Sequence, residues 1–352
     1  MLDIFAFIIV FCLALSVSLV LMPVARYLSF RFGITSIPGG RRQEQTPMPK
    51  LGGLAIFGGF IIAIILAQSL PVPRFDPYEI VRLSGLLIGS TVIFLLGIFD
   101  DLFELNYFQS FLGQIIVSGI AILFQIFIEF FNNPFTGQQT DPWSPVITIT
   151  LTMFWLVLMM NTVNFLDGSD GLAAGVAVIA GMILFLNSAF RLEPAQTSVS
   201  LLPLALSGAS LGFLLHNFYP AKIYMGGSAW FLGYTLGTLS IIGGAKMATI
   251  LLVMGLPLMD LGWQFVNRLR VGRNPFQGDR GHLHFRLLDT GRFTPRQIAL
   301  GYYMICSMFG VLTLVTTSQL FKFIAFGVMM VFVAIGFIAV GRITIDEQDQ
   351  SS

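Results

Sequence analysis

Apolar residues along this chain gather in long unbroken runs separated by short polar stretches. Segments close to the roughly 20 apolar residues that cross a bilayer as a helix can be read at about 2–22, 51–70, 80–98, 111–131, 146–164, 171–190, 199–216, 228–243, 246–266, 297–317 and 320–341. A helix satisfies every backbone N–H and C=O within itself, so runs of this length in lipid fold as helices. The pattern therefore predicts an all-α polytopic membrane protein of about 10–11 transmembrane helices, with 228–243 the weakest span. No internal repeat or soluble appendage interrupts it. Residues 1–345 are expected to form one integral membrane domain, and 346–352 a short polar C-terminal tail.

Composition supports the same reading. Hydrophobic residues make up 55% of the chain and charged residues 11%, too few to cover a soluble protein of this length. Basic residues near span ends stay on the cytoplasmic side. With the N-terminus outside, the inner loops hold Arg26, Arg31, Arg41, Arg42, Lys50, Lys222, Arg268, Arg270, Arg273, Arg280, Arg286, Arg292, Arg296 and Arg342. Only Arg74, Arg82, Arg191, Lys246 and Lys322 then remain outside. The expected setting is the inner or plasma membrane, multi-pass, with the polar motifs on cytoplasmic loops. The first span, lacking a basic leader, is expected to be uncleaved. Cys12 and Cys306 fall inside spans, which argues against disulfide or metal roles, and no nucleic-acid partner is expected.

Candidate chemistry concentrates where the fifth span gives out, in Asn161-Thr162-Val163-Asn164-Phe165-Leu166-Asp167-Gly168-Ser169-Asp170-Gly171. A spacing of three keeps Asn161, Asn164 and Asp167 on one arc of a helix, and Gly168 and Gly171 let Asp170 fold back beside them. Amide oxygens and carboxylates on one patch suit a hard cation such as Mg²⁺. The plainer alternative is Asp170 as the N-cap of the helix that follows. Asp100 and Asp101 are paired acids at a membrane boundary, so at least one should be hydrogen-bonded, metal-bound or raised in pKa, with two solvated loop carboxylates as the alternative. In the first cytoplasmic loop, Pro38-Gly39-Gly40-Arg41-Arg42 precedes Pro47 and Lys50, and Lys50 stands just before a helix opening on Gly52-Gly53, a candidate anion site. In the last long loop His282 and His284 fall two apart beside Arg280 and Arg286. Arginine neighbours repel cations, so these imidazoles are read as donors to a diphosphate, with structural loop histidines as the alternative. His216 is read as an interfacial histidine.

These motifs together resemble the polyprenyl-phosphate N-acetylhexosamine-1-phosphate transferases, glycosyltransferase family 4, which include undecaprenyl-phosphate N-acetylglucosaminyl-1-phosphate transferase and phospho-N-acetylmuramoyl-pentapeptide transferase. The Asn161 to Gly171 run is the most specific part. The resemblance implies transfer of a sugar-1-phosphate from a UDP-sugar, such as UDP-N-acetylglucosamine, to undecaprenyl or another polyprenyl phosphate, releasing UMP, in cell-wall or surface polysaccharide synthesis. It implies Mg²⁺, with Mn²⁺ as a substitute, and a homodimer as a plausible assembly. By the same resemblance Asp100 and Asp101 would act on the acceptor phosphate and Asn164 and Asp167 would hold the metal. Asn161, Asp170, Arg280, His282, His284, Lys50 and Arg41 would serve substrate binding.

The chain departs from the family at five polar positions: Ser36, Glu44, Ser110, Gly227 and Phe285 stand where an acid, a histidine, a lysine, an aspartate and a histidine are usual. The loop after Met225 also reads one residue short. Two other readings stay open: an impaired paralogue that binds polyprenyl phosphate or a nucleotide sugar, and a membrane transporter.

Overall fold

The computed structural model describes residues 2–36, 46–192, 195–242, 247–272 and 281–351, with side chains described between 3 and 338. Among the described residues each of the eleven apolar segments contains a helix, although the fourth, expected over 111–131, leaves the helix after Leu123. The helices are α1 (Leu2–Arg31), α2 (Gly53–Ala67), α3 (Glu79–Phe103), α4 (Tyr107–Leu123), α5 (Pro145–Leu166), α6 (Leu172–Phe190), α7 (Thr197–Asn217), α8 (Ala229–Ile241), α9 (Met247–Val253), α10 (Gly255–Arg270), α11 (Leu283–Asp289), α12 (Pro295–Val315) and α13 (Gln319–Ser351). Seven are long and apolar enough to cross a membrane, and α2 and α4 are shorter apolar helices. The chain is a multi-pass membrane protein. The polar stretch from 346 onward, expected as a tail, continues α13 as helix to Ser351.

The ninth segment is not a straight span. α9 and α10 meet at a 74° bend, and Pro257 gives the reason: its ring would clash with the carbonyl four residues back, that of Val253, where α9 ends. In the first turn of a new helix the missing proline N–H costs nothing. α10 also reverses the usual division of a surface helix. Asp260, Gln264 and Arg268, four apart and so on one face, are buried, while Phe265, Val266 and Leu269 are exposed. Lipid on the outside and polar groups inside is the arrangement expected of a membrane helix that flanks a polar site. Arg268 is thus part of the interior rather than a solvated loop residue.

Burial grades from centre to rim. The apolar window of α7 is 83% buried and that of α6 78%, against 22% for α1 and 11% for α13. Contacts between central helices are built on small residues, as expected where lipid leaves packing to do the work. Ser18 of α1 donates to the Ala209 carbonyl of α7 at 2.8 Å, and Trp155 of α5 donates through Nε1 to Ser240 of α8 at 3.0 Å. Gly233 of α8 lies so close to α5 that a Cβ there would sit 2.6 Å from Met160 Cα.

Gly233→Ala is expected to lower the thermal unfolding midpoint in detergent, at a cost of about 1–3 kcal/mol for overpacking. Gly262→Ala in α10, where a Cβ meets nothing within 4 Å, is expected to leave the midpoint unchanged or raise it. Equal behaviour of the two variants would contradict the close α5–α8 contact.

Candidate active site

The helix ends bearing the polar motifs meet at one face. α3 carries Asp100 and Asp101 in its last turn and stops at Glu104, which takes a left-handed conformation (φ 49°) while its N–H donates to the Asp100 carbonyl. Both acids are hydrogen-bonded to backbone, one of the outcomes expected for such a pair. Asp100 Oδ1 accepts from Leu105 N at 3.1 Å, and Asp101 Oδ2 accepts from Gly227 N at 2.7 Å. A carboxylate accepting from a backbone N–H is charge-assisted and fixed in direction.

Gly227 reaches Asp101 because α3 and the turn Gly226–Ser228 approach backbone to backbone. A Cβ on Gly227 would overlap the Gly97 carbonyl, and one on Gly97 would press on Gly227. Gly226 has φ 71°, and a Cβ there would collide with Asp101 Oδ2 and the Lys50 carbonyl. By the resemblance, Gly227 stands where an aspartate is usual. No side chain fits at either glycine without moving α3 or the Lys50 segment, so the acid cannot be restored by Gly227→Asp alone.

The Lys50 segment is laced to the same turn. Tyr224 N donates to Pro49 O at 2.8 Å, Gly52 N to Tyr224 O at 2.8 Å, and Gly53 N to Met225 O at 3.3 Å. Gly52 N and Gly53 N are therefore taken by these carbonyls, and Leu54 N and Ala55 N by the Leu51 and Gly52 carbonyls at 3.0 and 3.1 Å, so the N–H groups expected to meet an anion at that helix start are engaged within the chain. The Lys50 side chain lies within electrostatic reach of both Asp100 and Asp101. Asp167 also acts on Asp101. Three carboxylates from two helices and one ammonium thus share a small region, an arrangement in which the acids repel unless a cation joins them.

α5 ends at Leu166, with Asp167 at its C-cap. Asn161 donates to Gln114 Oε1 of α4 at 2.7 Å and to the Val157 carbonyl at 2.8 Å, which ties the polar arc to α4. Asn164 is half-buried one turn on. Asp170 does not cap α6: Gly171 holds the N-cap position in a left-handed conformation, without a side-chain cap. Asp170 Oδ2 instead accepts from Ala221 N at 2.9 Å, pinning the loop that leads to Tyr224 and Gly227. Asn217 braces the same loop, accepting from Gly171 N at 3.0 Å and donating to Ile223 O at 2.9 Å.

The histidines close the far side. His282 stacks on Phe165 with ring centroids 4.7 Å apart, and His284 packs against Phe285 with its ring tilted, centroids 4.3 Å apart. A Cβ on Gly168 would sit 2.6 Å from Phe285 Cζ and 3.0 Å from His284 Nε2. Both imidazoles are 1% exposed. They face Asp260 of α10, whose Oδ2 lies 3.3 Å from His282 Nδ1 and 3.9 Å from His284 Nδ1, while its Oδ1 accepts from Leu283 N at 3.1 Å. Gln264 and Arg286 both donate to the Gly281 carbonyl. Asp260 was not among the residues singled out from sequence, yet one acid inside an apolar span, with polar residues four and eight further on, was a usable signal.

Of the remaining expectations, Ser36 accepts from Met48 N at 3.1 Å, Ser110 and Phe285 are buried, and His216 is half-buried in the last turn of α7. Arg41, Glu44 and Arg280 lie outside the described residues. Among the described residues no three His, Cys, Asp or Glu side chains form a ready metal cage. The oxygens of Asp101, Asp167 and Asn164 are still the hard donors that Mg²⁺ takes, since it is commonly held by one or two carboxylates with phosphates and water completing the shell.

Asp260→Ala is expected to loosen the 281–286 segment and expose the histidines. The readout is faster hydrogen exchange at 281–286 with the 161–171 segment little changed; unaltered exchange would show that Asp260 does not organise the loop. Gly227→Asp is expected to lower the folded yield and unfolding midpoint, and a variant as stable as the parent would contradict the backbone contact between Gly97 and Gly227.

The chain matches the family model Glycosyl transferase family 4 over residues 83–244, which takes in Asp100, Asp101, the 161–171 run and Gly226–Gly227. It is 30% identical over 320 residues to the probable undecaprenyl-phosphate N-acetylglucosaminyl 1-phosphate transferase of Bacillus subtilis (strain 168), covering 88% of this chain and 85% of that protein. It is 33% identical over 303 residues to the decaprenyl-phosphate N-acetylglucosaminephosphotransferase of Mycobacterium tuberculosis (strain ATCC 25618 / H37Rv), covering 80% and 75%. It is 34% identical over 225 residues to the phospho-N-acetylmuramoyl-pentapeptide-transferase of Listeria monocytogenes serovar 1/2a (strain ATCC BAA-679 / EGD-e), covering 59% and 66%. With the acids, amides and glycines of the matched region meeting at one face of a helical membrane protein, the chain belongs to glycosyl transferase family 4 and is a glycosyl-1-phosphate transferase by kinship.

Proposed function

We propose that the chain transfers N-acetylglucosamine-1-phosphate, or a related N-acetylhexosamine-1-phosphate, from a UDP-sugar to undecaprenyl or another polyprenyl phosphate, releasing UMP. The observation that carries this reading is the Asp101 carboxylate, fixed by Gly227 N–H and within reach of Lys50, Asp100 and Asp167. An apolar groove of about 330 Å³, lined by Val92, Leu95, Leu96, Phe99, Gly113 and Ile116 between α3 and α4, begins beside these acids. A lipid phosphate needs both: a greasy track for its chain and a polar end for its head.

In the reaction an oxygen of the lipid phosphate bonds to the phosphorus bearing the sugar, the bond from that phosphorus to the bridging oxygen breaks, and UMP leaves with the oxygen. Positioning and charge neutralisation supply most of the catalysis in such a transfer. Asp101 and Asp100 would orient the acceptor phosphate and take its proton where it carries one. Lys50 would offset their charge. Asp167 and Asn164 would hold Mg²⁺, which when bound neutralises charge on the diphosphate. Asn161 would keep that arc in register through Gln114. Asp170, His282, His284, Arg41 and Arg280 are assigned to the nucleotide and sugar side, the two histidines through the segment that Asp260 anchors. The face bearing these groups is assigned to the cytoplasm of the plasma membrane, with the N-terminus outside, and a homodimer is the proposed assembly.

Purified protein given UDP-N-acetylglucosamine, undecaprenyl phosphate and Mg²⁺ is expected to release UMP and form a lipid-linked sugar. Asp101→Asn should slow release by about 100-fold or more, roughly 2.7 kcal/mol of barrier. EDTA should stop the reaction and Mg²⁺ or Mn²⁺ restore it. Release no faster than that of Asp101→Asn would overturn the proposal, and binding of polyprenyl phosphate without release would mark the chain as a binding relative.

A further inference from the structure

A second cavity, of about 800 Å³, opens at the opposite ends of these helices. Its walls come from the start of α3, the 127–143 connection, the end of α8, α9 and the first turns of α13. Arg82, on its wall, and Asp101 stand at opposite ends of α3, about 28 Å apart at 1.5 Å per residue. The cavity is therefore separate from the acid cluster. Its volume is that of a small-molecule site, and its lining is mostly apolar, with Phe75, Phe127, Leu151, Leu251 and Phe326 among the walls.

The charges on it are uneven. Arg82 is satisfied: it pairs with Asp76 at 2.7 Å and donates to the Gln125 carbonyl at 3.0 Å. Lys322 is half-buried on the α13 wall. Arg191, another cation, acts on it, and among the described residues no carboxylate forms a salt bridge with it. A cation drawn out of water into an apolar wall is unfavourable without a counter-ion, and two cations together make an anion from outside the natural remedy.

The place says which anion. These are the ends of membrane helices, at the level of lipid headgroups. Phe323 lines the cavity, is 56% exposed, and shares its helix face with exposed Leu320 and Ile324. Phe135, 77% exposed on the 127–143 connection, stands 6.1 Å from the Phe323 ring. The rim is thus apolar on the side facing the bilayer. We propose that the cavity holds an acyl chain of an anionic phospholipid, whose headgroup phosphate sits on Lys322 and Arg191.

The test uses the whole chain purified in mild detergent. Unfolding midpoints are measured with added phosphatidylglycerol, with phosphatidylcholine of the same acyl chains, and with undecaprenyl phosphate, and copurified lipids are quantified by mass spectrometry. Phosphatidylglycerol is expected to copurify and to raise the midpoint by several degrees, while phosphatidylcholine does not. Lys322→Glu should abolish that shift by removing the charge, and Ala248→Trp should abolish it by filling the cavity. Should Lys322→Glu not be recovered folded, Ala248→Trp decides alone. Equal shifts from both phospholipids, a shift that survives the substitutions, or a shift from undecaprenyl phosphate only would overturn the assignment.

Discussion

A carboxylate at the mouth of a membrane helix has lost part of its water and must be held by something else, and here Asp101 is held by the N–H of Gly227. That bond exists only because Gly97 and Gly227 let two backbones touch and Gly226 leaves room for the carboxylate. The rest of the site follows from it. The turn that presents Gly227 is stitched to the Lys50 segment through Tyr224 and Met225, and the loop before it is pinned by Asp170 and Asn217. Acids, lysine and polar arc are thereby fixed relative to one another by backbone, which is stiffer than side-chain packing.

A second constraint comes from the break at Pro257. It sets α10 at an angle to α9, so that its polar stripe turns inward while its apolar residues meet lipid. Asp260 on that stripe gathers Leu283, His282 and His284, and stacking of His282 on Phe165 places the histidine segment against the end of α5. Three of the five polar departures from the family read differently in this light. Gly227 is a packing requirement, Phe285 fills space against Gly168, and Ser36 fastens the 46–50 segment through Met48. Where the resemblance would put a loop acid, this chain has a backbone donor that orients Asp101; a hydrogen-bond donor is no oxygen ligand to a metal, so the cation would rest on Asp167, Asn164 and substrate phosphates.

Hydrophobic run length made the helices legible in the sequence, because lipid forces each such run to satisfy its own backbone. The family was legible in the spacing from Asn161 to Gly171. What stayed hidden depended on tertiary contact. Lys50 before Gly52-Gly53 reads as an open anion site, and only the pairing with 224–225 shows Gly52 N and Gly53 N engaged. Whether Asp170 folds back or caps α6 stays open in the sequence, and only its bond to Ala221 N decides against the cap. The inward face of α10 could have been found, since Asp260, Gln264 and Arg268 sit at helical spacing in an apolar span, but Arg268 read alone passes for a loop charge. Gly97 inside α3 gives no sign of its partner 130 positions away.

The most direct measurement is a double-mutant cycle on Mn²⁺ affinity, followed by electron paramagnetic resonance in the presence of UDP, across Asp101→Asn, Asp167→Asn and the pair. Asp167 as ligand and Asp101 as the neighbouring charge act on one ion and on each other, so the two losses are expected to be non-additive by about 0.5–3 kcal/mol. Losses that simply add, or an affinity that neither substitution changes, would mean that the acids of α3 and α5 do not serve a common site.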